Sequence, residues 1–305
     1  MKNIQRNLSG ILLLDKPPGL SSNKALQKAR HLFGAAKGGH TGSLDPLATG
    51  LLPICFGEAT KIAGHLLGAR KAYSAECRLG ITTSTDDAEG EPLVKRPVTP
   101  LDAAAIEAAL CTLRGRIVQT PPAYSAIKQG GVALYKRARR GEDVQVPSRE
   151  VDVQRLELLA HDGDRLQLHV ECGSGTYVRS LARDLGEALG CGAHLTALRR
   201  LWVEPFERPV MYTLEALQRV RDEGGNAALD ALLLPLEAGL DALPVLHLDD
   251  AQALLLRQGK RFVQAALAAE PLCPALDADG RLVALVEIGA DGEVRVRRGF
   301  NPPAP

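Results

Sequence analysis

The stretch Gly39-His40-Thr41-Gly42-Ser43-Leu44-Asp45-Pro46-Leu47-Ala48-Thr49-Gly50 sets one carboxylate among glycines, a histidine and a proline. Glycines let a backbone approach a ligand closely or take positive φ, and Pro46 biases Asp45 towards an extended conformation that projects its side chain. A carboxylate displayed in this way can act as a nucleophile or a general base. An aspartate that caps a turn uses the same residue types, and on the loop alone that reading is favoured.

Two further stretches carry chemistry. Cys172-Gly173-Ser174-Gly175-Thr176-Tyr177-Val178-Arg179 runs from a strand through a glycine pair into a helix start. Backbone amides and the positive end of a helix dipole suit a phosphate there, and Arg179 could pair with a carboxylate from elsewhere. A mononucleotide site is the competing reading; neither G-x-x-x-x-G-K-[ST] nor a complete G-x-G-x-x-G occurs, which counts against it. Between residues 128 and 140 the chain carries Lys128, Lys136, Arg137, Arg139 and Arg140 with no acid, and Tyr124 and Tyr135 lie before and within the cluster. Phosphate contacts with stacking partners, or a solvated helix face, would both look like this.

Strands and helices must hold these loops. Residues 10–14 form an apolar run ended by Asp15-Lys16-Pro17-Pro18-Gly19, the pattern of a buried strand meeting a rigid turn. Ser21 or Ser22 can cap a helix whose Leu26, Ala29, Leu32 and Phe33 share a face. Residues 51–56 read as a strand, 59–67 as a short helix, and Tyr73, Ala75, Cys77 and Leu79 alternate as in a half-buried strand. Thr99-Pro100-Leu101-Asp102 reads as a cap, a first-turn proline and a first-turn acid, opening a helix that runs to about Leu113. Residues 151–159 and 165–172 read as paired strands, and 176–189 as an amphipathic helix. The basic segment, bounded by Gly130-Gly131 and Gly141, reads as an inserted subdomain able to move on the sheet. Beyond Leu243-Pro244 one helix, 249–258, and short strands at 282–288 and 293–300 make a small, mostly β appendage.

A chain of 305 residues with 45% apolar composition suits two globular domains. No apolar run reaches the roughly 20 uncharged residues needed to span a bilayer, and residues 1–7 are polar, so a soluble cytoplasmic protein without membrane contact is expected. A net charge of +1 gives no whole-molecule field that would draw in nucleic acid, so any RNA binding must come from a local patch. The six cysteines are scattered without C-x-x-C pairs or histidines at ligand spacing, so no metal site or disulfide framework is expected and the thiols read as buried.

Residues 10–19, the 39–50 loop, Gln119-Thr120-Pro121-Pro122-Ala123-Tyr124-Ser125-Ala126-Ile127-Lys128, and Gly175-Thr176-Tyr177-Val178-Arg179 with Asp184-Leu185-Gly186 resemble, in order and separation, the TruB family of tRNA pseudouridine-55 synthases. The resemblance implies an α+β (mixed α/β) pseudouridine synthase fold, with a central antiparallel-rich mixed sheet flanked by helices. It implies a catalytic domain over residues 1–243, with an RNA-binding thumb at about 120–150, and a PUA-like C-terminal RNA-binding domain over 244–305. The expected substrate is the uridine of the tRNA T-loop, bound through the T-arm stem-loop by a monomer that needs no cofactor and no obligatory protein partner. Asp45 falls on the family's catalytic aspartate, Arg179 on the arginine that pairs with it, and Tyr73 on the tyrosine that stacks on the target uracil. His40 matches the histidine that contacts displaced T-loop nucleotides. Tyr177 and Leu198 match pocket-lining residues, and Lys16 and Pro17 the motif under the active-site floor. Periodicity alone would make Tyr73 and Leu198 core residues and Arg179 a surface residue. Gly173-Ser174 and Val203-Glu204-Pro205-Phe206 depart from the family pattern, which bears on RNA contacts and on the end of one strand.

Pseudouridine formation breaks the N1 glycosidic bond, turns the uracil and joins C5 to C1′. One carboxylate suffices, whereas hydrolytic glycosidases use two, and no acid accompanies Asp45 within its loop. Asp45 could attack C1′, add to C6 of the ring, or remove the 2′ proton. A stacked uridine must be flipped out before any of these, with Lys128, Lys136, Arg137, Arg139 and Arg140 closing on the RNA backbone. A non-catalytic tRNA-binding or folding module is the rival from another class, and a nucleotide-dependent enzyme a third reading.

Overall fold

The computed structural model describes residues 5–301, apart from 68, 69, 126, 139, 143, 242, 265 and 266. Strand β1 (Gly10–Lys16) sends Leu12 and Leu14 into one core and Ile11 and Leu13 into another on the opposite face. Burial on both faces is why this strand is an unbroken apolar run rather than an alternating one. Helix α1 (Ser22–Phe33), β2 (Gly38–His40), β3 (Thr49–Phe56), α2 (Ala63–Leu67), β4 (Lys71–Leu79), β5 (Ile81–Thr83), β6 (Pro92–Lys95), α3 (Ala103–Cys111) and β7 (Gly115–Gln119) follow. The inserted basic segment forms β8 (Lys128–Gln129), β9 (Val132–Ala133) and α4 (Leu134–Ala138). The chain then returns to the main sheet through β10 (Arg149–Asp162), β11 (Arg165–Cys172), α5 (Val178–Ala188) and β12 (Ala193–Val203), before helix α6 (Leu214–Asp230).

The large sheet has the order β1-β3-β12-β4-β11-β10-β7, with β2 beside β3. Its pairings are antiparallel except for β3 with β12, which run parallel where Arg200 faces Gly50. This is the antiparallel-rich mixed sheet that the family resemblance implies. Side chains of α1, α3, α5 and α6 join the core on the Leu12 face. The other face is covered by Ala59, Ile62 and Leu66 and by the C-terminal residues Leu282, Leu285 and Phe300.

The C-terminal part comprises β13 (Leu246–His247), α7 (Asp250–Arg257), β14 (Phe262–Val263), β15 (Glu270–Leu276), β16 (Leu282–Ile288) and β17 (Glu293–Gly299), in a five-stranded sheet ordered β13-β15-β16-β17-β14. Asp249 and Gln252 form a reciprocal capping box on α7.

Two expectations are corrected. Asp102, not Thr99, caps α3, accepting from Ala105 N at 2.7 Å; Asp102 is the last residue with extended backbone, so its short carboxylate is the one that reaches the free amides. Cys111 is exposed while the other five thiols are buried, because α3 packs through Ile106, Ala109 and Leu110 and turns Cys111 outward.

Candidate active site

Asp45 is held from the residues on either side of it. Ser21 caps α1, which leaves the buried Ser22 hydroxyl to accept from Leu44 N (2.7 Å) and donate to Leu44 O (2.9 Å). On the other side the Pro46 carbonyl accepts from Gly19 N (2.8 Å) and from Lys16 Nζ (3.3 Å), and Lys16 also donates to the Pro17 carbonyl at 2.8 Å. The Asp15–Gly19 turn thus props up the loop from beneath. With both flanks fixed, the Asp45 carboxylate turns to Arg179 instead of capping a turn amide.

Arg179 lies in the first turn of α5 and its side chain is only 4% exposed. Its Nη2 donates to Asp45 Oδ1 at 3.2 Å, and its Nε lies 2.9 Å from Asp45 Oδ2. Nη1 also donates to the Thr85 carbonyl (2.9 Å) and Nη2 to the Tyr124 carbonyl (3.0 Å). A second carboxylate, Asp87, sits 3.5 Å from Nη1, itself held by Thr85 Oγ1 (2.5 Å) and Glu89 N (3.0 Å). The carboxylate of Asp45 is therefore alone within its loop but not within its site. The helix start that carries Arg179 has no side-chain cap of its own. Fully buried Gln119 serves instead, accepting from Tyr177 N (2.8 Å) and donating to Tyr177 O (3.2 Å). This uses an amide that the glycine-pair reading had left open to a phosphate.

The Asp45 side chain is 39% exposed, yet crowding by the surrounding protein pushes its carboxyl above the ordinary aspartate value. Arg179 and Lys16 pull it back down, and the Asp87 charge adds to the rise. A partly desolvated carboxylate paired with a fixed guanidinium is the arrangement by which active sites tune a titrating group.

A cleft of about 400 Å³ opens beside the pair. The structure brings Asp45, Tyr73, Tyr177, Leu198 and Arg179 together on its walls, as expected, and adds Lys71, Arg149 and Arg200. Tyr73, on β4, is buried, and burial pushes its phenol up to about 12. The Arg149 guanidinium lies 5.1 Å over the Tyr177 ring, a cation–π contact. Lys16 and Lys71 are both buried, and loss of solvent pushes each ammonium down to about 8.

Other expected residues lie elsewhere. His40, on β2, is outside the residues lining the cleft; its Nδ1 is buried without a protein hydrogen-bond partner, and burial lowers its pKa. Lys16 and Pro17 support the loop from below. In the inserted segment Arg137 donates to Glu142 Oε2 (2.6 Å) and Gln129 Oε1 (2.7 Å), and Arg140 lies 3.8 Å from Glu142. Arg139 lies outside the described residues, as do the side chains of Lys128, Tyr135 and Lys136.

Asp87, Arg200, Lys71 and Arg149 were not singled out from sequence. One signal was available: adjacent residues of a strand face opposite sides, so in Arg199-Arg200 one arginine has to point inward.

The model of the TruB family pseudouridylate synthase N-terminal domain matches residues 30–178, and that of the tRNA pseudouridylate synthase B C-terminal domain matches 179–241. The chain is 58% identical over 298 residues to tRNA pseudouridine synthase B of Xanthomonas axonopodis pv. citri (strain 306), covering 98% of this chain and 96% of that one. It is 49% identical to the protein of the same name from Stutzerimonas stutzeri (strain A1501), with 98% and 97% covered. Among solved structures, a chain in the crystal structure of a Cbf5-Nop10-Gar1 complex superimposes with a TM-score of 0.75 at 26% identity, over 98% of this chain and 86% of that one. Four motifs in order, a carboxylate fixed on a buried arginine, and near full-length identity of this size lead to one assignment: the chain belongs to the TruB family of pseudouridylate synthases.

Proposed function

We propose that this synthase isomerises uridine 55 in the T-loop of tRNA, with Asp45 as its catalytic carboxylate. The observation that carries the reading is Asp45 fixed on Arg179 at a cleft lined by Tyr73, Tyr177 and Leu198. The relatives' name, tRNA pseudouridine synthase B, supports tRNA as the substrate.

The reaction moves C1′ from N1 to C5 of the uracil; C5 loses a proton, N1 gains one, and the formula is unchanged. Attack on C1′, addition at C6 and removal of the 2′ proton all need an ionised carboxylate at one place. Arg179 pulls the Asp45 carboxyl towards its ionised form against the rise that burial causes. The uracil must be flipped out of the loop and then held while detached, and the Tyr73 ring offers it a flat face. Apolar Leu198 and Val178 on the cleft wall keep water from the sugar carbon, where it would leave an abasic site. In this reading Arg137 and Arg140 meet T-arm phosphates, exchanging Glu142 for the RNA backbone, and Lys128, Lys136 and Arg139 belong to the same basic stretch of sequence. Residues 1–243 form the catalytic unit in this reading. Residues 244–305, whose β17 shows Arg295, Arg297 and Arg298 to solvent, form a second RNA-contacting unit.

Tritium release from C5-tritiated uridine in an unmodified tRNA transcript tests the proposal. The parent should release about one tritium per tRNA, none from a transcript with cytidine at position 55, and Asp45→Asn should release none while still binding the transcript. Release that persists in Asp45→Asn, or that does not depend on position 55, would overturn it.

A further inference from the structure

Arg200 is 1% exposed and is among the largest fully buried side chains of the protein, yet nothing in the chemistry above uses it. Burial drives its guanidinium below the ordinary arginine value, so its charge is held there at a cost, and a charge in such a place has to be doing something the fold or the reaction needs. Its contacts show what. Nε donates to the Leu51 carbonyl at 2.6 Å and Nη2 to the Gly42 carbonyl at 3.2 Å. Arg200 stands opposite Tyr73 in the β12–β4 pairing, and its charge acts on the Tyr73 phenol. Gly42 precedes Asp45 by three residues, and Leu51 follows it on β3.

The backbone of Arg200 is fixed as firmly as its side chain. It pairs in parallel with Gly50, whose φ is +93°, and a Cβ at Gly50 would stand 2.2 Å from the Arg200 carbonyl oxygen. Gly42, at φ +79°, likewise leaves room: a Cβ there would meet Arg200 Nη1 at 3.5 Å and Lys71 Cε at 3.7 Å. Arg200 therefore touches the catalytic loop before and after Asp45 and reaches across to β4 where Tyr73 stands.

We propose that Arg200 is a positioning residue that sets the Tyr73 ring in register with the Asp45 loop, so that the base stacked on Tyr73 presents its sugar to the carboxylate. It touches neither the base nor the sugar; it acts through Tyr73 and through the carbonyl of Gly42. The inference rests on Asp45 and Tyr73 working on a uridine as described above. Lysine cannot replace it, because one ammonium on a flexible stem does not hold both carbonyls in a fixed fork.

The test is a double-substitution cycle. Arg200→Lys should lower single-turnover kcat by about tenfold or more, with KM changed less than about twofold, because uridine is bound but misaligned. Tyr73→Phe removes the phenol oxygen on which Arg200 acts, so Arg200→Lys should cost less than about threefold further in that background. Full, multiplicative losses would show that the two residues act separately and would overturn the proposal. A second readout does not depend on turnover: 3-fluorotyrosine placed at position 73 alone should give a 19F resonance that moves or broadens in Arg200→Lys without RNA. An unmoved resonance in a folded variant, checked by its thermal unfolding curve, would equally overturn it. A parent that binds tRNA yet releases no tritium would remove the proposed function, while the 19F result would still decide the link between Arg200 and Tyr73.

Discussion

Two lysines share a shifted value and differ in what they touch, which makes them separable by pH. Lys16 and Lys71 both fall to about 8 from 10.5, so each loses its proton as pH rises through about 8. Lys16 holds the Pro46 carbonyl beneath Asp45, whereas Lys71 lines the cleft beside Asp45 that is proposed to take the RNA. An alkaline limb near pH 8 is expected in kcat from Lys16 and in KM from Lys71. Lys16→Arg, which keeps its charge, should abolish the first limb and leave the second, and pH profiles of both constants check this. The shift of Lys16 has the opposite sign for stability. Between about 8 and 10.5 the unfolded lysine keeps the proton that the folded one has lost, so stability rises with pH in that window. Denaturant unfolding should show a steeper rise in the parent than in Lys16→Met, which keeps only the part that Lys71 contributes.

At the scale of elements, the site hangs on one side chain of β7. Gln119 is fully buried and satisfies both backbone groups of Tyr177, two residues before Arg179. Gln119→Leu leaves the half-buried Tyr177 amide unpaired, while the Tyr177 carbonyl keeps Leu181 N as its donor, which should cost about 1–3 kcal/mol in urea unfolding and lower activity by loosening Arg179. A loss below about 0.5 kcal/mol would mean that water replaces the glutamine. The contrast with Asp45 explains what could be read from the chain alone. Asp45, its glycines and Pro46 are neighbours in sequence, and the strands around them alternate or run apolar according to how many faces they bury. Those features are local, so they were legible, and the family resemblance supplied Arg179 and Tyr73. Asp87 and Arg200 reach the site only through pairings between distant strands, such as β12 with β3 and β4. A charged residue in a strand looks like a solvent-facing one until its neighbours are known. The α3 cap was misplaced for a smaller reason: Thr99, Pro100 and Asp102 all favour a helix start, and only the backbone decides among them.

Across the whole molecule, the inserted segment and the C-terminal sheet are joined to the catalytic sheet in different ways. Arg137 and Arg140 rest on Glu142 at the surface, where such pairs contribute little. They are available to phosphates. Arg137→Gln with Arg140→Gln should weaken tRNA binding and reduce the slope of log affinity against log salt by roughly one to two. An unchanged slope in filter binding would take the thumb out of phosphate contact. The C-terminal sheet shares its core instead: Phe300, Leu282 and Leu285 pack with Ile11, Leu13 and Leu51, and Lys61 Nζ donates to the Gly299 carbonyl at 2.9 Å. Phe300→Ala should cost about 3–5 kcal/mol, and in calorimetry the two sheets should still melt in one transition.

The slot that β12 fills between β3 and β4 has a consequence for how the enzyme comes into being. Both neighbours are made long before their shared partner, so a nascent chain that has just left the ribosome through Ala188 carries the Asp45 loop and Arg179 but two unpaired edges where Leu198 and Arg200 belong. Its contacts are of long range and close late, the arrangement that folds slowly and exposes strand edges meanwhile. Catalytic competence therefore waits for β12, and until its residues are made the edges of β3 and β4 that it will join stay open.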